Sequence, residues 1–249
     1  MLNFSCTELY QQVNVQGGAT EIKLINLVDF SNYRFLHPEG RRLIKKWFSF
    51  GESIWNKNND NIYEPFIFTW FAFNGWGACI TSADTDADIM DSLATNKEIN
   101  VAFDNFLQEN SESDFLSKTK WFFDILPIFD AKELNKLELF ENNYQDRETQ
   151  VRDYYTNLKN HYDNDKTLTP DQRTRKLSKS FSPKCWKRHL DCTEGITLDW
   201  SHFLKAVYQV RCNLFHGQKG NESPMNKQNV EASFLTLFNF LKETGFLQR

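Results

Sequence analysis

Between Phe66 and Ile80 the chain reads FIFTWFAFNGWGACI, which is apolar on every side when wound as a helix. A helix that faces water keeps one polar side, so this one is expected to be surrounded by other elements. The apolar stretch from Pro65 to Ile80 is shorter than the ~20 residues needed to cross a bilayer, and Asn74 interrupts it. It reads as the central buried helix of a water-soluble bundle, with Asn74 a buried amide that orders its neighbours.

The rest of the chain can supply that surrounding. Its 249 residues are enough to bury one large core. Only 10 Gly and 6 Pro argue against a turn-rich sandwich or a disordered chain, and 23 Phe call for a thick interior of the kind helices make face to face. Pro38 and Glu39 predict a helix start, with the helix running to Trp55. Ile99, Ala102, Phe103, Phe106 and Leu107 recur at helical spacing. A further helix is predicted from Ser113 or Asp114 to Pro127, which ends it. Val151, Tyr154, Tyr155, Leu158 and Tyr162 place another from Asp146 to Tyr162 with a wet outer face. The last element starts at Ser223 and Pro224 and turns Val230, Phe234, Leu237, Phe238 and Leu241 inward.

The expected fold class is therefore all-α: a helical domain over residues 65–249, with residues 1–64 as an N-terminal extension of mixed structure packed on it. That extension carries a turn-like Gly17-Gly18 and a short alternating segment from Glu21 to Phe30. The opening MLNFSCTELYQQ has no basic region followed by an apolar run, so no secretory signal is read and a cytoplasmic location is expected. Five irregularly spaced cysteines (Cys6, Cys79, Cys185, Cys192, Cys212) read as free thiols.

A net charge of −4 argues against bulk electrostatic coating of nucleic acid, so any RNA contact must be local. The basic stretch holds Arg173, Arg175, Lys176, Lys187 and Arg188, with Phe181 and Trp186 available for base stacking. Such a run also fits a solvated helix face.

One short segment carries a chemical signal. Trp200, Leu204, Val207, Arg211 and Leu214 share a helical stripe, and Gly217 suits the helix end. Arg211 thus points toward packed surface, where an unpaired charge costs several kcal/mol, so it needs a carboxylate, a cleft or a second subunit. His216 falls where the negative end of the helix dipole favours the imidazolium form. Five residues are about 500° of ideal helix, so the two converge only if the last turn bends or the arginine reaches down.

The segment VYQVRCNLFHGQK (Val207 to Lys219) resembles the motif of the HEPN superfamily, an arginine and a histidine separated by four to six residues. FTWFAFNGWGA (Phe68 to Ala78) is similar to the first core helix of Apea-like and related HEPN groups, and the resemblance spans roughly residues 65–243. It implies an HEPN-like helical bundle that pairs as a homodimer and cleaves RNA without a metal or other cofactor. In bacteria, defence against phage or a toxin–antitoxin system would be its setting. His216 would then be the general acid or base and Arg211 the phosphate-binding group, with Asn213 supporting and Lys219 trailing the motif. Attack by the RNA 2′-hydroxyl would leave 2′,3′-cyclic phosphate and 5′-hydroxyl ends. Cys212 departs from the family pattern, which often places a polar residue after the arginine.

Two alternatives use the same surfaces: a catalytically silent helical module that binds a regulatory or antitoxin protein, and an RNA-binding module without cleavage. Cys185, His189 and Cys192 lack a fourth zinc ligand. Asp84, Asp86 and Asp88 begin like a calcium loop, but Ile89 stands where its glycine belongs and Thr95 where its glutamate belongs. No phosphate-binding loop, nucleophile elbow or zinc-protease motif is present.

Overall fold

The computed structural model describes residues 28–129, 144–180, 197–215 and 224–248, with side chains in all but parts of 124–154, 178–180 and 224–226. Ten helices and no strand are found among the described residues: α1 (Ser31–Phe35), α2 (Pro38–Lys57), α3 (Tyr63–Thr81), α4 (Asp86–Thr95), α5 (Lys97–Glu109), α6 (Asp114–Phe129), α7 (Tyr144–Asn164), α8 (Pro170–Ser180), α9 (Trp200–Phe215) and α10 (Pro224–Thr244). The all-α class expected from the periodicity is the class observed. No helix among these residues is long and apolar enough to cross a membrane.

Helix α3 is the central element, with Phe66, Trp70, Phe73, Trp76 and Ile80 each at most 1% exposed. It packs against α1, α2, α4 and α10. Gly51 of α2 lets two backbones approach, because a Cβ there would lie 3.0 Å from the Pro65 carbonyl oxygen and 3.0 Å from the Thr69 hydroxyl. Gly77 does the same toward α4, whose Leu93 and Ile89 side chains occupy the space a Cβ needs.

The core centres on rings. Trp200 of α9 touches Phe73, Phe103, Phe203 and Phe240, and its indole N–H donates to the Leu93 carbonyl at 2.9 Å, so the buried donor is satisfied. The many phenylalanines thus bring α3, α5, α9 and α10 to one place. Tyr33, Ile44 and Phe48 from the N-terminal part belong to the same core.

Several elements differ from the sequence reading, the short α1 ahead of Pro38 among them. Helix α6 runs two residues past Pro127, since a proline in a final turn forfeits only a bond that is near its end in any case. Helices α4 and α8 were not anticipated from periodicity; each is short, and α4 has few large side chains over which a period can be counted. The segment from 21 to 27 lies outside the described residues, as does the turn at Gly17-Gly18.

Candidate active site

Arg211 stands in the last third of α9, on the helix side that meets α3 and α4. Helix α9 starts at an N-cap: Asp199 accepts the His202 backbone N–H at 2.9 Å and also pairs with the His202 ring nitrogen Nδ1 at 2.7 Å. Burial pushes the Asp199 carboxyl up, but the side-chain and backbone hydrogen bonds from His202 together outweigh it and leave the group below the usual carboxylate range.

Of the three settings open to Arg211, the structure supplies a carboxylate, that of Asp86. Its Oδ2 lies 2.9 Å from Arg211 Nη2, and its Oδ1 accepts Asn74 Nδ2 at 3.1 Å. Three helices therefore contribute one group each: Asn74 from the middle of α3, Asp86 from the first turn of α4, Arg211 from α9. Asp86 lies at a helix N-terminus, where the dipole favours negative charge, and α4 is capped by the Thr85 hydroxyl, which accepts the Asp88 N–H at 3.2 Å. The side chains of Arg211 and Asp86 are 22% and 31% exposed, so the pair sits at the floor of the surface and not under it.

Aromatic rings surround the guanidinium. Its Cζ lies 4.9 Å from the Phe215 ring centre, 5.9 Å from Trp70 and 6.0 Å from Tyr208. Arg211 Nη1 approaches Cys212 Sγ at 3.9 Å, and Nε is buried without a partner among the described residues. Burial foremost, then the neighbouring Cys212 thiol and Asp86, pushes the Tyr208 phenol up, so it stays neutral.

Asn213 is 2% exposed, with its Oδ1 accepting Gln209 Nε2 at 2.9 Å and its Nδ2 without a partner among the described residues. It faces the interior and not solvent. His216 and Lys219 lie outside the described residues, as do Lys187, Arg188, Phe181 and Trp186 and the Cys185, His189 and Cys192 set.

Arg173, Arg175 and Lys176 stand on α8, which packs on α7. The Arg173 guanidinium donates to the Leu168 and Asp165 carbonyls at 3.2 and 3.0 Å, closing the turn between the two helices. Lys176 lies 5.7 Å from the Tyr162 ring, and Arg175 is exposed. Among the described residues no group of three His, Cys, Asp or Glu side chains is arranged to hold a metal ion. The three aspartates that began like a calcium loop are parted by α4, which starts at Asp86.

Asp86 and the aromatic surround were not foreseen from sequence. That Arg211 needs a carboxylate, a cleft or a second subunit was legible, but only the tertiary fold selects among these and among 33 acidic residues. No family model, curated protein or solved structure matches the chain.

Proposed function

We propose that the chain is a metal-independent endoribonuclease of the HEPN kind, acting as a homodimer through Arg211 and His216. The observation that carries this reading is the setting of Arg211: a partly exposed guanidinium, fixed in direction by an Asp86 carboxylate that Asn74 in turn holds. An arginine held this way presents its remaining N–H groups in a fixed orientation, as stabilisation of a transition-state phosphate requires.

RNA brings its own nucleophile. The 2′-oxygen attacks the adjacent phosphorus, the bond to the 5′-oxygen breaks, and the products carry a 2′,3′-cyclic phosphate and a 5′-hydroxyl. The 2′-hydroxyl gives up a proton as it attacks and the departing 5′-oxygen gains one; His216 carries out one of these transfers, as imidazole titrates near neutral pH, and water or the second subunit's imidazole the other. Because Asp86 balances its charge, Arg211 acts chiefly through directed hydrogen bonds to phosphate oxygens.

A second reading rests on the same ion pair. An arginine already compensated by a carboxylate serves equally to lock α9 onto α3 and α4, and the chain would then be a silent helical module that binds a partner protein. End-labelled RNA incubated in EDTA with the wild type, Arg211→Ala and His216→Ala separates the two. Cyclic-phosphate ends made by the wild type and lost in both variants support the nuclease; intact RNA in every lane, from folded dimeric protein, supports the module.

A further inference from the structure

Beside Arg211 the surface carries a continuous row of rings. Phe50 of α2 meets Phe68 of α3 at 5.8 Å between centres, Phe68 meets Phe71 at 6.4 Å, and Phe71 meets Phe215 of α9 at 6.1 Å. Three of these rings remain open to solvent: Phe50 is 44% exposed, Phe71 36% and Phe215 44%. Large apolar side chains gathered this way on a surface mark a binding site more often than chance exposure does.

A basic side chain flanks each end of the row, Lys46 at one and the Asp86-paired Arg211 at the other. Lys46 Nζ lies 5.4 Å from the Phe50 ring centre, and the Arg211 guanidinium carbon lies 4.9 Å from that of Phe215. Lys46 closes a run of four cations, Arg41, Arg42, Lys45 and Lys46, within six residues of α2, of which Arg42 is answered by Glu39 at 3.0 Å. In a chain of net charge −4 this is a local positive field beside exposed rings. Rings stepping at regular intervals between cations suit a polyanion whose bases are unstacked. A double helix, whose base faces are hidden in its own stack, has nothing to offer them.

We propose that Phe50, Phe71 and Phe215 form a stacking platform for the bases of single-stranded RNA, with Lys46 and its neighbours on the backbone, leading the strand to Arg211. This rests on the nuclease reading for its direction toward Arg211 but is tested without cleavage. The probe is a short fluorescein-labelled oligouridylate of 2′-O-methyl nucleotides, which has no free 2′-hydroxyl to attack with, titrated into full-length protein and followed by anisotropy.

Phe50→Ala and Phe71→Ala are each expected to weaken binding about tenfold or more, the range that loss of one stacked base sets. Phe35→Ala, at an exposed ring outside the row, is expected to leave affinity unchanged, and Lys46→Ala to lower the salt dependence of binding. Circular dichroism of each variant excludes misfolding as the cause. Unchanged affinity in both Phe50 and Phe71 variants overturns the proposal. A loss of dimer in those variants with RNA affinity retained also overturns it, and makes the row a protein interface. Cleavage lost in Arg211→Ala while the Phe variants cleave with unaltered KM leaves the nuclease standing without the platform. Phe-dependent binding with no cleavage of ordinary RNA leaves the platform without the nuclease.

Discussion

Asp86 and Arg211 meet at 2.9 Å across the junction of α4 and α9, and Asn74 of α3 occupies the other oxygen of the carboxylate. Removing either partner leaves the other polar group half-buried, with its desolvation uncompensated. Asp86→Ala and Arg211→Ala are each expected to cost about 1–3 kcal/mol. The double variant is expected to cost less than the two together, because the second truncation removes the group that the first stranded. Urea unfolding of the four proteins measures this coupling, and strictly additive losses would show that the pair contributes nothing. In the RNA assay Asp86→Ala is expected to lower cleavage, since a guanidinium released from its carboxylate no longer has a fixed direction.

The close approach of α2 and α3 makes a second, purely steric prediction. A Cβ at Gly51 lies 3.0 Å from the Pro65 carbonyl oxygen, which is backbone and cannot rotate away. Gly51→Ala is expected to destabilise by about 1–3 kcal/mol despite alanine's better helix propensity, because the helices must separate. Gly75→Ala meets the flexible side chain of Ile44 at 3.2 Å and is expected to cost less. A shift in thermal midpoint that is smaller for Gly51 than for Gly75 would contradict this account of the α2 and α3 contact.

Much of this fold was legible because its helices repeat over long windows. Trp200, Leu204 and Val207 of the α9 stripe are fully buried while its last members Arg211 and Leu214 are half-buried, and α3 buries most of FIFTWFAFNGWGACI but leaves Phe71 open to solvent, where the sequence predicts burial on every side. Helix α4 escaped because its apolar residues, Ile89, Met90, Leu93 and Ala94, lie in a ten-residue segment too short to show a clear period, and rejecting a calcium loop at its spaced aspartates left no positive sign of a capped helix start. That miss cost the site its second member. The chain places Arg211 on an apolar stripe and so announces a carboxylate, a cleft or a second subunit beside it, but pairing across helices is a long-range event that local spacing does not encode. The exposed ring row escaped for the same reason: Phe50, Phe71 and Phe215 come from three helices, and each looks alone like part of a core.

Asp199 links the start of the arginine helix to pH. Its carboxylate caps α9 and pairs with His202, and these contacts hold its pKa below the ordinary carboxylate value of about 3.9 despite burial. A depressed native pKa means that the stabilisation is complete above the unfolded value and drains away as pH falls through the native one. Asp199→Ala is therefore expected to cost about 1–2 kcal/mol at neutral pH, as loss of a helix cap does, and to be less damaging, relative to wild type, as pH falls below about 4. Asp199→Asn, which can still accept the His202 N–H, is expected to retain part of the cap. A wild-type advantage that persists undiminished at low pH would show that packing, not the ionised cap, is what the substitution removed.

Tyr33 governs the alkaline side. Its side chain is 1% exposed and its hydroxyl donates to the Leu247 carbonyl at 3.2 Å, tying α1 to the chain after α10. Burial foremost, with the Cys79 thiol adding and Arg41 opposing, pushes the phenol up to about 12. In the unfolded chain the same group loses its proton near pH 10. The native state therefore binds the proton more tightly, and the stabilisation is complete below about pH 10 and lost as pH rises toward 12, at about 1.4 kcal/mol per pH unit from this group. Lys118, held above its ordinary value first by its hydrogen bond to Glu231, adds to the same trend in any variant that keeps it. Tyr33→Phe is expected to cost about 1 kcal/mol at neutral pH through the lost hydrogen bond and to flatten the alkaline fall in stability relative to wild type. Urea unfolding at intervals from pH 9 upward measures the difference; parallel curves for the two proteins would show that ionisation of Tyr33 does not set the alkaline limit, and that the hydroxyl contributes only its hydrogen bond.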